Sequence, residues 1–220
     1  FRMDRIPALI ERATSLVDER AADPILIGEI AFFQGMLEFW AGQPEAAEKT
    51  LEAALELLDH GPPYLEGETE LHLGAARCMA GKSDGAIAFL EERIRTRTTP
   101  GRGDPLRRGG LTLVYLSSGD LRRAKNAAEG FWRVAAEREV ANLTAWASYL
   151  GGCIDLHALE LKSAARHLGR AVEARGLQRL GCGHRVDALH RLQGDGRLEV
   201  GQHPLPPAFA AEPAFADPAE

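Results

Sequence analysis

Arginine supplies the densest chemistry in this sequence. Arg93, Arg95, Arg97, Arg102, Arg107 and Arg108 surround a Pro/Gly loop with one acid, Asp104, between them. That stretch carries a net charge of +5 within a chain of formal charge −6. Guanidinium forks match the paired oxygens of carboxylates and phosphates. A nucleotide, an acidic partner or an autoinhibitory neighbour could be held there; a solvated loop in an arginine-rich stretch accounts for the same residues. Glu38 and Arg77, on expected first helices of two repeats, complete the candidate binding set.

Other reactive residue types are less specific. Ala76–Ser83 satisfies a relaxed phosphate-loop pattern, ending in Gly81-Lys82-Ser83. A phosphate loop joins a strand to a helix and wraps phosphate with successive backbone N–H groups. Here the first residues lie on an apolar helical face, so a turn is expected. His157 and His167 are ten residues apart, and His184 and His190 lie further on. Zinc sites use tighter groupings, and Cys182-Gly-His184 offers only two ligands. No metal and no cofactor are expected, and His167 reads as structural. Cys78 and Cys153 fall on apolar stripes, where cysteine packs as a small hydrophobe. Ser117-Ser118-Gly119 reads as a helix end. No nucleophile has a base and an orienting group beside it, so no enzyme is expected. Asn142-Leu-Thr144 matches a glycosylation sequon without consequence in a cytoplasmic helix. Trp40, Trp132, Trp146 and Tyr149 read as core residues, though one near a concave side could stack on a ligand.

The elements that must position these residues repeat. In 220 residues, 45% of them hydrophobic, there is enough apolar material for one domain or one repeat array. GMLEFWAGQPEAAEKTLEAAL (35–55), GAARCMAGKSDGAIAFLEERI (74–94), TLVYLSSGDLRRAKNAAEGFW (112–132) and GCIDLHALELKSAARHLGRAV (152–172) align. Ala47, Ala86, Ala124 and Ala164 are spaced by 39, 38 and 40 residues, and Gly42, Gly81 and Gly119 hold the same phase. Each unit reads as two helices around a turn. Leu26, Ile30, Phe33, Leu37 and Trp40 fall at helical spacing, followed by Ala47, Leu51, Ala54, Leu55 and Leu58. Gly42 suits a left-handed helix stop, Pro44 a first turn, and Ser83 and Asp120 an N-cap. The small alanines let paired helices approach. The expectation is an all-α, right-handed superhelical solenoid of tetratricopeptide-like (TPR-like) helix hairpins with a period of 38–40 residues.

Repeats are expected near 24–59, 64–97, 105–138 and 142–175, in a helical domain over 1–193. Arg5–Glu19 reads as a further amphipathic helix, with Ile6, Leu9, Ile10, Ala13, Leu16 and Val17 buried. Arg185–Leu192 could begin a fifth pair. From 194 to 220 the chain turns Pro- and Ala-rich and is expected to be a disordered tail.

Three passages resemble the repeat region of MalT-like, LuxR-type large ATP-binding transcriptional regulators. GEIAFFQGMLEFWAGQPEAAEKTLEAALELL is similar to their opening repeat, and GLTLVYLSSGDLRRAKNAAEGF to a later one. AWASYLGGCIDLHALELKSAARHLGRAVEAR resembles the recurrent block AWAxYLLGxxxYxxNDLxxAxxHFxxVVExR. The match keeps Ala145, Trp146, Ala147, Tyr149, Leu150, Gly151, Leu161, Ala164, Ala165, His167, Val172, Glu173 and Arg175. The likeness runs from about Arg5 to Arg175. It implies a segment that senses a protein partner or a small-molecule inducer, between a nucleotide-binding switch domain and a DNA-binding helix-turn-helix domain. His157–Leu159 stands where the family has an Asn-Asp turn, which predicts a distorted fourth turn.

The charge of −6 argues against direct nucleic-acid binding by this segment. No apolar run approaches the ~18–20 residues that span a bilayer. Three scattered cysteines fit a reducing cytoplasm. Phe1–Pro7 lacks the features of a secretory leader, and with no initiator Met a trimmed or partial chain is expected. The sensing segment of a regulator is the first reading; a stand-alone TPR scaffold for protein–protein interaction is the alternative.

Overall fold

The computed structural model describes residues 6–17, 23–59, 61–96 and 103–181, with side chains described as far as Glu173. Arg97, Arg102, Cys182, His184 and His190 lie outside the described residues, as do Arg185–Leu192 and the Pro/Ala-rich stretch 194–220. Among the described residues every regular element is an α-helix. They are α1 (Ile6–Leu16), α2 (Pro24–Trp40), α3 (Pro44–Leu57), α4 (Pro63–Met79), α5 (Ser83–Thr96), α6 (Gly103–Ser117), α7 (Leu121–Glu137), α8 (Ala141–His157) and α9 (Leu161–Gly181). No helix among them is long and apolar enough to cross a membrane.

Local signals explain the boundaries. Asp23 accepts from the Ile25 amide at 2.9 Å and Asp120 from the Arg123 amide at 2.9 Å, satisfying donors that helix starts leave free. Prolines open α2, α3 and α4, where a missing N–H carries no penalty. Within each of the four pairs the first helix ends in a left-handed residue: Gly42, Gly81, Gly119 and Leu159, with φ of 74°, 78°, 78° and 59°. The fourth turn is therefore not distorted. Glu160 N–H donates to the Asp155 carbonyl at 2.8 Å, as Gln43 does to Glu38 at 2.9 Å, Lys82 to Arg77 at 2.8 Å and Asp120 to Tyr115 at 3.0 Å. Backbone hydrogen bonds hold Leu159 in a conformation that a glycine would take more readily.

The two helices of a pair cross where Ala47, Ala86, Ala124 and Ala164 are all at most 1% exposed. A second crossing lies beside them. A Cβ on Gly35 would meet Leu51 Cγ at 2.7 Å, one on Gly74 would meet Leu90 Cδ1 at 2.6 Å, and one on Gly152 would meet Leu168 Cγ at 2.7 Å. Glycine on the first helix makes room for leucine sixteen residues later. In the third pair those places hold Thr112 and Ala128, so the larger residue has moved to the first helix.

Second helices pack onto the first helices that follow them, α3 on α4, α5 on α6 and α7 on α8. First helices also touch one another, α2 with α4, α4 with α6 and α6 with α8. The core runs through these contacts as Leu51, Leu58 and Leu73, then Leu90, Val114 and Ile154, then Leu106, Phe131 and Leu150.

Three expectations about burial need correction. Helix α1 buries no residue fully, and Leu9 and Leu16 are exposed, because among the described residues it packs mainly against α2, through few contacts. Trp40 and Trp132 are each 44% exposed: Trp40 is the last residue of α2, and Trp132 lines a cleft. Cys78 and Cys153 are half-buried rather than enclosed.

Candidate functional site

The described arginines of the basic stretch do not form one surface. Arg93 on α5 and Arg107 on α6 turn inward to Glu66 and Glu70 on α4. Both guanidinium Nε atoms donate to the Glu70 carboxylate, one to each oxygen. Glu66 lies 3.3 Å from Arg93 Nη2 and 3.2 Å from Arg107 Nη2. Glu70 is fully buried, Glu66 and Arg107 are nearly so and Arg93 is partly exposed, so two anions and two cations form a neutral, largely buried set. The approach depends on Gly67, whose Cβ would stand 2.6 Å from Gly103 Cα. Arg95 folds onto Glu92 at 2.6 Å, and Arg108 faces Asp104 at 3.3 Å.

The other two candidates are also engaged. Arg77 donates to Glu48 at 3.3 Å and Glu52 at 2.6 Å, and its guanidinium lies 4.8 Å from the Phe89 ring centre. Lys82 joins this group through Glu48 at 2.7 Å, and its hydrogen bond is the main reason the Glu48 pKa falls below the ordinary carboxylate range. Lys82 and Gly81 thus belong to an ion-pair cluster and a helix turn. Glu38 accepts from Gln34 at 3.2 Å, while its buried Oε2 has no hydrogen-bond partner.

A second group of residues, largely outside the sequence-derived set, lines a cleft of about 160 Å³ at α7, α8 and α9. Lys125, Ala128, Glu129 and Trp132 come from α7, Ser148, Ile154 and Asp155 from α8, and His167 and Arg170 from α9. Ala128 occupies the repeat position where Leu51, Leu90 and Leu168 stand in the other pairs. Its short side chain forms part of the cleft wall. Gly151 admits the imidazole, since a Cβ there would press to 3.1 Å from His167 Nδ1.

Asp155 is the centre of this cleft. It is 1% exposed, and its Oδ2 lies 3.0 Å from His167 Nδ1. The two atoms are within reach but off the line of a ring N–H, and neither completes a hydrogen bond. Lys125 Nζ stands 3.6 Å from the other oxygen of Asp155 and 3.0 Å from Glu160 Oε2. The hydrogen bond to Glu160 raises the Lys125 pKa above its ordinary value, with Asp155 adding to the effect. Ser148 donates its hydroxyl to the Thr144 carbonyl at 2.9 Å. Burial pushes the Cys153 thiol up, away from thiolate at neutral pH. The cleft brings together a buried carboxylate and an imidazole, with cationic side chains and an indole around them.

Asp155 was visible as an anomaly. It follows Ala147, Leu150 and Ile154 along the buried side of one helix, where an acid is unusual. Neither family models nor curated proteins give a match to this chain.

Proposed function

We propose that this chain is a ligand- or protein-sensing helical-repeat segment of a MalT-like, LuxR-type transcriptional regulator. In this reading the helix pairs form a right-handed superhelical solenoid of TPR-like hairpins, acting in the cytoplasm without a catalytic step or direct contact with nucleic acid. The repeat domain would extend to 193, with 194–220 as its tail. What supports the reading is phase: four helix pairs turn at Gly42, Gly81, Gly119 and Leu159 and cross at the same buried alanine. An array in which each pair contacts mainly its neighbours can change curvature at little cost. A ligand that prefers one curvature shifts the equilibrium by its differential affinity.

A stand-alone TPR scaffold is the second reading. Leu26, Phe33 and Trp40 favour it, because they form a partly exposed row seven residues apart along α2, suited to an apolar partner surface. Sequencing the DNA on both sides of the coding segment separates the two. An in-frame nucleotide-binding domain upstream and a helix-turn-helix domain downstream support the regulator. Stop codons closing both sides overturn it in favour of the scaffold.

A further inference from the structure

We propose that the cleft at α7, α8 and α9 binds a small zwitterion, an α-amino acid with an apolar side chain. The proposal rests on the sensing reading to the extent that ligand binding is the task of the repeats. Asp155 carries it. A buried carboxylate oxygen without a hydrogen-bond donor is costly, and Asp155 Oδ2 is such an atom. The nearest cation, Lys125, lies closer to Glu160 than to Asp155. An ammonium group brings three N–H donors, of which Asp155 Oδ2 can take one. His167 Nδ1, also without a hydrogen-bond partner and 3.0 Å from Asp155 Oδ2, can accept a second N–H when the imidazole is neutral.

Arg170 supplies the complementary end. It lines the same cleft one helical turn beyond His167, and among the described residues its guanidinium is in no ion pair or hydrogen bond. A guanidinium fork takes a carboxylate through two parallel hydrogen bonds. Ala128, Ile154 and the half-exposed Trp132 leave apolar wall for a side chain between these charges. Both signs of charge oppose a simple anion, which Asp155 would repel, and a diamine, which Arg170 would repel. Size narrows the ligand further: about 160 Å³ is well below the ~300–1,000 Å³ of sites for drug-sized molecules. A single amino acid suits that volume better than a peptide.

The test is isothermal titration of the full chain with L-leucine, L-isoleucine, L-valine, L-methionine and L-phenylalanine. The N-acetyl and carboxamide derivatives of the best binder follow. At least one amino acid is expected to bind, and each derivative to bind about tenfold more weakly or worse, because each removes one charged end. Asp155→Asn and Arg170→Gln should each lose about tenfold in affinity. Arg170 is exposed, so Arg170→Gln should keep the parent melting temperature and remain informative if Asp155→Asn fails to fold. The proposal is overturned if no amino acid binds, if both derivatives match the parent compound, or if Arg170→Gln binds as tightly as the parent protein. In-frame regulator domains found beside an amino-acid-blind chain would overturn the zwitterion site alone and leave the sensing reading standing.

Discussion

The imidazole of His72 lies edge-on between Phe32 and Phe39, with each ring centre 5.7 Å away. Its Nδ1–H donates to the Glu68 carbonyl at 2.8 Å, and the Glu68 carboxylate is 3.7 Å from the same nitrogen. Burial lowers its pKa below the ordinary value of 6.5, outweighing the opposing pull of Glu68. The unfolded chain therefore binds the proton more readily than the folded one. Stability from this group is fully present above about pH 6.5 and falls as pH drops toward the depressed folded value, by up to ~1.4 kcal/mol per pH unit. Urea midpoints at about pH 7.5 and about pH 5.5 should differ less for His72→Gln than for the parent. Equal differences in the two proteins would remove His72 from the acid response. At this scale sequence alone was a partial guide. Arginine type and spacing were visible, but Glu66 and Glu70 lie more than twenty residues before Arg93 and enter no local charge count. Asp155, Lys125 and His167 meet only after α7, α8 and α9 have packed.

Helices were far more legible, because their signals are local. Turn glycines, N-terminal prolines and the alanine phase depend on residues within a few positions, and the paired helices begin and end close to where those residues stand. Leu159 was the exception, since no local feature compensates for a leucine in that turn. Its side chain is 82% exposed, so the left-handed backbone is strained with little burial in return. Leu159→Gly should relieve ~1–2 kcal/mol of strain and cost ~0.5–1 kcal/mol of chain entropy, for a gain of roughly 0.5–1 kcal/mol. For a chain of this length that is a rise of about 1–4 °C in melting temperature. Gly119→Ala should move the other way by about 1 kcal/mol, through the backbone alone, since an added Cβ meets nothing within 4 Å. Thermal unfolding of both variants decides this. A lower melting temperature for Leu159→Gly would mean that the leucine contributes more through its side chain than its backbone costs.

Across the molecule, the helix pairs need a reason to unfold together, since each contacts mainly its neighbours and repeat arrays lose cooperativity when one interface weakens. Glu66, Glu70, Arg93 and Arg107 are placed to supply that reason between the second and third pairs, because α4 and α5 belong to one and α6 to the next. Taken whole, such a buried set contributes little against an apolar replacement of the same shape, but breaking it strands charges away from water. Glu70→Gln leaves two guanidinium groups facing Glu66 alone and should cost ~3–5 kcal/mol. Glu52→Gln removes an acid whose side chain is 47% exposed, opposite Arg77, and should cost no more than ~1 kcal/mol. The two variants separate ion pairing as such from burial at the joint. If the joint couples the pairs, Glu70→Gln should also split unfolding in denaturant, with Trp40 fluorescence changing at a different midpoint from helical circular dichroism. Replacing all four charged residues with apolar ones of similar volume should bring the midpoints together again. Coincident midpoints in Glu70→Gln, even at reduced stability, would place the coupling in the remaining contacts of α4 and α5 with α6 instead.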